Sequence, residues 1–331
     1  MKNTLKHLFT YKTLSEEQAY NALVQIAEGA YNDCEIAAFL TTYNMRSITV
    51  NELIGFRDAL LDLCLKIDLS DYNTIDLCGT GGDGKNTFNI STLTSFVVAG
   101  AGEKVAKHGN YGVSSACGSS NVMEYLGYNF SNDASKLRKS IDKAGICFLH
   151  APLFHPAMKN VAPVRRKLGV KTFFNMLGPM VNPSFPKNQM VGVFSLELAR
   201  LYNYLYQHNN KNYVVLHSLS GYDEISLTDK VKVIANNREE LLSPEYLGFE
   251  TLTAEQLFGG NTVPEAAKIF TTILQGGGTN AQNSVVIANA AMALHCLHPQ
   301  VSYADCKARA AESLLSKKAL GCFTQSVTIN A

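Results

Sequence analysis

The chain has no dominant charge. Its 29 lysines and arginines stand against 28 aspartates and glutamates, a formal net charge of +1, so nothing steers it toward nucleic acid or an anionic membrane. Paired cysteines are missing too. The eight present, Cys34, Cys64, Cys78, Cys117, Cys147, Cys296, Cys306 and Cys322, form no C-x-x-C pair and no metal-ligand spacing, and they read as buried or inert thiols of a reduced cytosol. No stretch approaches the length needed to span a bilayer, and the opening MKNTLKHLFTYKTLSEEQ lacks a continuous apolar signal core. A soluble, cytoplasmic protein with neither nucleic acid nor membrane as partner is expected. Internal repeats and low-complexity tracts are also absent.

What is present is apolar mass: 331 residues at 46% hydrophobic content, enough for one large α/β unit and a smaller satellite domain. Residues 1–72 read as a small all-helical domain. Thr13-x-x-Glu16 and Thr49-x-x-Glu52 have the form of capping boxes, and Asp33 is placed to cap a helix between them. From residue 73 to 331 the pattern switches to strands alternating with helices. Strands are expected at Thr74–Cys78, Glu103–Lys107, Ile146–Leu149, Met190–Phe194 and Tyr213–Leu219, which argues for a mainly parallel sheet flanked by helices. Two Ala-rich helices, near Asn283–Leu297 and Tyr303–Leu320, read as amphipathic and structural.

The first strand stops at Gly79 and runs into Gly79-Thr80-Gly81-Gly82-Asp83-Gly84, four glycines in six residues. Such a loop removes the Cβ atoms that keep amides away from an anion and permits φ > 0. Asn89-Ile90-Ser91-Thr92 then opens a helix. Unpaired amides and the positive dipole end make that start an anion site, with the Ser91 and Thr92 hydroxyls adding hydrogen bonds; Asn89 or Ser91 can cap the helix without competing with this. A second polar strand end follows, Lys107-His108-Gly109-Asn110, and then a serine-rich loop. Two adjacent strand ends of this kind imply one pocket, in which Lys107 would face phosphate as a point charge and Ser114, Ser115 and Ser119 would offer hydroxyls.

Gly79, Gly84 and Lys85 satisfy G-x-x-x-x-G-K, but Asn86 stands where a Walker loop needs Ser or Thr for magnesium. No clear Walker B acid follows, so nucleotide hydrolysis is set aside. Gly79-x-Gly81 lacks the third glycine of a dinucleotide fingerprint.

GTGGD, NIST and KHGN in this order and spacing, with HPAMKNVAPVRRKLGVKTFFNMLGPMVNP from His155 to Pro183 and YDEISLT from Tyr222 to Thr228, resemble the anthranilate phosphoribosyltransferases, the tryptophan-pathway members of the nucleoside phosphorylase-like transferases. The resemblance covers essentially the whole chain. It implies that part of residues 155–188 packs on the small helical domain, with the active site in the cleft between domains, and that the protein is a homodimer through that domain. The implied reaction is attack of the anthranilate amine on C1 of 5-phosphoribosyl 1-diphosphate, with diphosphate leaving. An aromatic amine is already neutral at pH 7, so no side chain acting as a strong acid or base is expected.

By the same resemblance, Gly79, Gly82, Asp83, Thr87, Asn89, Ile90, Ser91 and Thr92 surround the phosphoribosyl diphosphate. Lys107, His108, Gly109, Asn110, Tyr111, Gly112, Val113, Ser114, Ser115 and Ser119 close its other side. Asp83 would repel phosphate unless it accepts from a ribose hydroxyl or from loop amides. Anthranilate is assigned to Gly79, Asn110 and Arg165, the last as a carboxylate fork, with His108, His155 and Met158 as possible walls of the entry channel. Asp223-Glu224, just after the strand YVVLHSL, is the acidic pair placed to hold magnesium. Two Mg²⁺ ions are expected, one on the diphosphate with Ser91 as a further ligand and one mainly on Asp223 and Glu224.

The chain departs from the family pattern at Tyr111, where many relatives have arginine, at Ser120-Asn121, where they read Ala-Asp, and at Cys117. Losing an arginine and an aspartate from one loop exchanges a salt bridge for neutral contacts or lowers affinity for the diphosphate substrate. Alternatives are a nucleoside phosphorylase, whose relatives carry Lys-His-Ser at Lys107-His108-Gly109, a catalytically lost nucleic-acid binder, which should lack the acidic pair and be basic, and a structural module, which leaves three converging polar loops without a purpose.

Overall fold

A computed structural model describes residues 1–112, 117–207, 211–236 and 238–331. The chain divides into two compact units, one of Met1–Ile67 with Ala151–Phe185 and one of Asp68–His150 with Pro186–Ala331.

The first unit is helical, with Lys2–Leu8, Glu16–Ala27, Asp33–Thr42 and Val50–Leu63 joined by Ala162–Leu168 from the later segment. Its core is aromatic. Phe56 stacks on Phe173 at 4.4 Å between ring centroids, and Phe39 meets Phe56 edge-on at 5.9 Å, so the later segment supplies part of the core. Gly55 lets two helices close together, because a Cβ there would strike the Glu16 carbonyl.

Capping differs from expectation at two starts. Ser15 with Gln18, not Thr13 with Glu16, forms the first box, and Asn32 with Glu35 forms the second, leaving Asp33 as the first helical residue. The Thr49–Glu52 box stands. Glu52 does more than cap. Fully buried, it accepts from the Leu14 amide at 2.9 Å, the Tyr43 hydroxyl at 3.2 Å, the Thr49 amide at 2.9 Å and the Arg46 guanidinium. One carboxylate thus ties together two connecting segments, residues 9–15 and 43–49.

The second unit is an α/β layer structure around a seven-stranded sheet of order β3-β2-β1-β4-β5-β6-β7. The strands are β1 (Thr74–Gly79), β2 (Lys104–Gly109), β3 (Ile146–His150), β4 (Asn188–Gly192), β5 (Asn212–Ser218), β6 (Val231–Ala235) and β7 (Arg238–Leu242). The first five run parallel, while β6 and β7 join antiparallel. Neither of the last two was expected. β7, Arg-Glu-Glu-Leu-Leu, is a short charged edge, the composition that protects an unpaired strand.

Helix Asn280–Leu297 is buried along nearly its whole circumference, with Ala288, Ala290, Ala291 and Ala293 at 0% exposure. It is a central core helix, not an amphipathic one. The expected last helix is two, Tyr303–Leu315 and Lys318–Asn330, separated where Lys317 takes φ 65°.

Candidate active site

Strand order reverses between β1 and β4, since β1 leads outward to β2 and β3 while β4 leads the other way to β5. Ligands in open α/β sheets gather at the carboxyl ends of strands at such a switch point. Here those ends are Gly79 and Gly192, which are register partners. Asp223 is seated on both. A Cβ at Gly79 would run into the Asp223 carboxylate, and one at Gly192 into the Asp223 main-chain carbonyl.

The acidic pair is bonded to both halves of the anion cradle. Asp223 Oδ2 accepts from the Gly81 amide at 2.8 Å, and Glu224 Oε1 accepts from the Ser91 amide at 3.0 Å, in the first turn of the helix Ile90–Gly100. Gly81, Gly82 and Gly84 take φ of 62°, 76° and 75°, a conformation few other residues tolerate. Asp83 accepts from the Lys85 amide at 3.0 Å and turns the loop. Burial pushes the carboxyls of Asp223 and Glu224 up, and the charge of Asp83 adds to both. A cation beside them relieves that strain.

Lys107 is buried beneath this layer. Its ammonium donates to the Leu77 carbonyl at 2.5 Å and reaches the Ser91 hydroxyl at 3.5 Å. Burial lowers its pKa, against the opposing pull of Cys78, Asp76 and Glu224. Asp76, fully buried in β1, accepts from the His108 amide at 3.1 Å and from Gln189 at 3.4 Å, which fixes the neighbouring strand end.

The segment after β2 is clipped to the helix Ser119–Tyr125. Tyr111 donates to Glu124 at 2.8 Å, the Gly112 amide donates to Asn121 at 3.3 Å, and Ser119 donates to the Asn110 carbonyl at 3.4 Å. The buried His150 ring underlies it, stacked on Phe130 at 4.4 Å and edge-on to Tyr111 at 4.8 Å.

Family models match both parts of the chain, a glycosyl transferase family a/b domain over residues 71–320 and a glycosyl transferase family helical bundle domain over residues 2–64. An anthranilate phosphoribosyltransferase of Flavobacterium psychrophilum is 64% identical over 323 residues, 97% of each chain. This chain belongs to the anthranilate phosphoribosyltransferase family. A family member from Bacteroides fragilis is 50% identical over 330 residues, the whole of both chains. Among solved structures, the anthranilate phosphoribosyltransferase of Thermus thermophilus aligns at TM-score 0.90 with 31% identity over 98% of each chain. The Saccharomyces cerevisiae enzyme, solved in complex with PRPP and Mg, aligns at TM-score 0.90 with 26% identity over 98% of this chain and 96% of that one.

Within the second unit, the residues assigned to an anthranilate phosphoribosyltransferase site fall on the carboxyl edge of the sheet and its two loops. Thr87 bridges to Phe258, and Asn89 donates to the Cys117 carbonyl at 3.0 Å instead of capping its helix. Ile90 and Thr92 are buried, and no group among the described residues partners the Thr92 hydroxyl. Asn86, at the failed Walker position, gives its amide to the Gly260 carbonyl at 3.0 Å. Val113, Ser114 and Ser115 lie outside the described residues. Arg165, His155 and Met158 belong to the first unit. There Arg165 is half-buried, donates to Asn175 at 3.2 Å and lies over the Phe174 ring at 5.4 Å. Burial lowers its pKa, with no carboxylate among the described residues opposing it. Burial also pushes His155 down to about 4, so it is neutral at pH 7.

The sequence reading missed Gly192, Asp76 and His150. Only Gly192 had a local signal, as a glycine closing an apolar strand.

Proposed function

We propose that this chain transfers the 5-phosphoribosyl group of 5-phosphoribosyl 1-diphosphate to the amine of anthranilate, giving N-(5-phosphoribosyl)anthranilate and diphosphate, in L-tryptophan biosynthesis. The observation that carries this reading is the bonding of Asp223 and Glu224 to the Gly81 and Ser91 amides, which joins an acidic pair to a phosphate-type loop at the switch point of the sheet.

The donor set fits magnesium. Among the described residues no three His, Cys, Asp or Glu side chains form a metal cage, and magnesium is usually held through one or two carboxylates together with substrate phosphates. Two ions are proposed, one on the diphosphate with the Ser91 hydroxyl and one on Asp223 and Glu224. When bound, magnesium neutralises charge gathering on the departing diphosphate. Gly79, Gly82, Asp83, Thr87, Asn89, Ile90, Ser91 and Thr92 hold the donor from one side, with Asp83 fixing the loop and meeting a ribose hydroxyl. Lys107 through Ser115, with Ser119, hold it from the other. The Lys107 ammonium does not face an open loop as a bare point charge, as expected from the sequence, because the chain buries it against the Leu77 carbonyl and the Ser91 hydroxyl.

Anthranilate is assigned to Gly79, Asn110 and Arg165. A half-buried guanidinium that meets the neutral Asn175 and Phe174 is suited to its carboxylate. Arg165→Lys keeps the charge and loses the fork, and is expected to raise the anthranilate KM about tenfold or more while moving that of the diphosphate substrate little. An equal rise in both would remove Arg165 from the carboxylate. The whole reading is tested by mixing the protein with anthranilate, 5-phosphoribosyl 1-diphosphate and Mg²⁺ and following loss of anthranilate fluorescence. No loss, with both substrates shown to bind, would sink it.

A homodimer through the helical unit is proposed as well. An apolar groove there is lined by Leu8, Phe9, Tyr11, Ala38, Thr41 and Met45, and Phe9, Tyr11 and Met45 are 61%, 85% and 79% exposed. Sedimentation equilibrium is expected to give twice the 36.1 kDa chain mass, and Met45→Glu is expected to shift it toward the single chain. A single-chain mass for the unaltered protein overturns the dimer. A cytoplasmic setting is proposed, supported by eight unpaired thiols. No helix among the described residues is long and apolar enough to cross a membrane.

A further inference from the structure

Asp223 and Glu224 stand on a connecting segment, and something outside that segment must hold it still. The next residue, Ile225, is 1% exposed and lies outside any strand. Its backbone groups therefore need partners that no ladder supplies. Asn289, 2% exposed in the middle of the helix Asn280–Leu297, provides them. Its Oδ1 accepts from the Ile225 amide at 3.0 Å, and its Nδ2 donates to the Ile225 carbonyl at 2.9 Å and to the Val285 carbonyl at 2.9 Å. The side-chain amide grips one residue at both its N–H and its C=O, as a neighbouring strand would. From the other side, the Ser218 hydroxyl at the end of β5 donates to the Glu224 carbonyl at 2.6 Å.

An asparagine in a helix of alanine, valine and leucine is unfavourable unless every polar atom is engaged. Here both N–H groups and the oxygen are, and two of the three bonds go to the residue that follows the acidic pair. We propose that Asn289 is a positioning residue for the metal site: by clamping Ile225 to the core helix, it sets where Asp223 and Glu224 present their carboxylates. The proposal rests on the reading of that pair as magnesium ligands.

Mn²⁺ titrated in the presence of 5-phosphoribosyl 1-diphosphate, and read by electron paramagnetic resonance, tests it. Asn289→Ala is expected to weaken Mn²⁺ binding about tenfold or more and to raise the Mg²⁺ concentration for half-maximal velocity in step. The anthranilate KM should stay within about twofold of the original. Asn289→Asp, which keeps the acceptor for the Ile225 amide, should fall between. Leu294→Ala, buried in the same helix, should lower Tm without moving Mn²⁺ affinity.

If Asn289→Ala binds Mn²⁺ as the unaltered protein does, while Asp223→Asn and Glu224→Gln weaken it, the positioning role is overturned alone. If those two leave Mn²⁺ binding unchanged, the metal reading falls and takes the role with it. Should neither Asn289 variant fold, hydrogen exchange on the unaltered protein decides. The Ile225 amide is expected among the slowest, and exchange at the rate of an open loop overturns the clamp.

Discussion

Replacing Asp223 by Asn and Glu224 by Gln together is expected to lower kcat about 10²–10³-fold, the scale of losing a preorganised electrostatic stabiliser. Both substitutions preserve shape, so Asp223→Asn still fits over Gly79 and Gly192 and can accept from the Gly81 amide. What is lost is the negative charge proposed to hold magnesium, not the loop. Stability should move the other way. Burial, and the charge of Asp83, hold both carboxyls above the usual range. A carboxyl whose folded pKa is raised costs stability progressively as pH climbs above its unfolded value, so removing the charges relieves the ligand-free fold at pH 7. Steady-state kinetics and thermal unfolding of the same variant check both halves. A turnover near that of the unaltered protein would dismiss the acidic pair from catalysis, and a much lower Tm would make it a structural element instead.

Glu52→Ala is expected to destabilise the helical unit by about 3–5 kcal/mol, the scale of breaking an ion pair whose carboxylate is fully buried. The Arg46 guanidinium would lose its carboxylate, and the Leu14 amide, Tyr43 hydroxyl and Thr49 amide would lose their acceptor. The pH dependence has a definite sign. Burial alone would push the Glu52 carboxyl up, but the bonds from Arg46, Leu14 and Thr49 outweigh it and hold it below its ordinary 4.5. Its contribution is therefore complete above that value and disappears as pH falls through the depressed folded pKa. Urea titrations at pH 7 and below pH 4 check this. The gap between the variant and the unaltered protein should narrow in acid, and a gap that persists or widens would mean Glu52 acts through packing alone.

Most of the strands, and the chemistry of their ends, were readable from the chain. Asp76–Gly79 announces a strand feeding a glycine loop because the apolar run and the glycines adjoin. Thr49-x-x-Glu52 announces a helix start because both partners of the box lie within one turn. Where several local signals competed, the reading slipped by a residue or two. Thr13 and Ser15 both offer a hydroxyl before an acidic or amide residue, and only the helix axis selects Ser15 with Gln18. β6 and β7 escaped because short strands after a polar turn carry little periodic signal. The loop departures are also explained by structure. Tyr111 and Asn121 look like lost charges in the sequence, yet Tyr111 finds Glu124 and Asn121 finds Gly112, which fastens residues 111 and 112 to the helix Ser119–Tyr125.

The sequence by itself determined the two glycine-rich strand ends, the hydroxyl-lined helix start and the acidic pair, because each is a contiguous run whose chemistry belongs to its own residues. It determined family membership for the same reason, through short motifs in a shared order. Only the tertiary structure decided that Gly79 pairs with Gly192 under Asp223, that Lys107 lies buried against Leu77 and Ser91, and that Asn289 grips Ile225. Those relations join residues brought together by strand order and helix packing. Close approach across a sheet edge leaves no periodic mark along a chain.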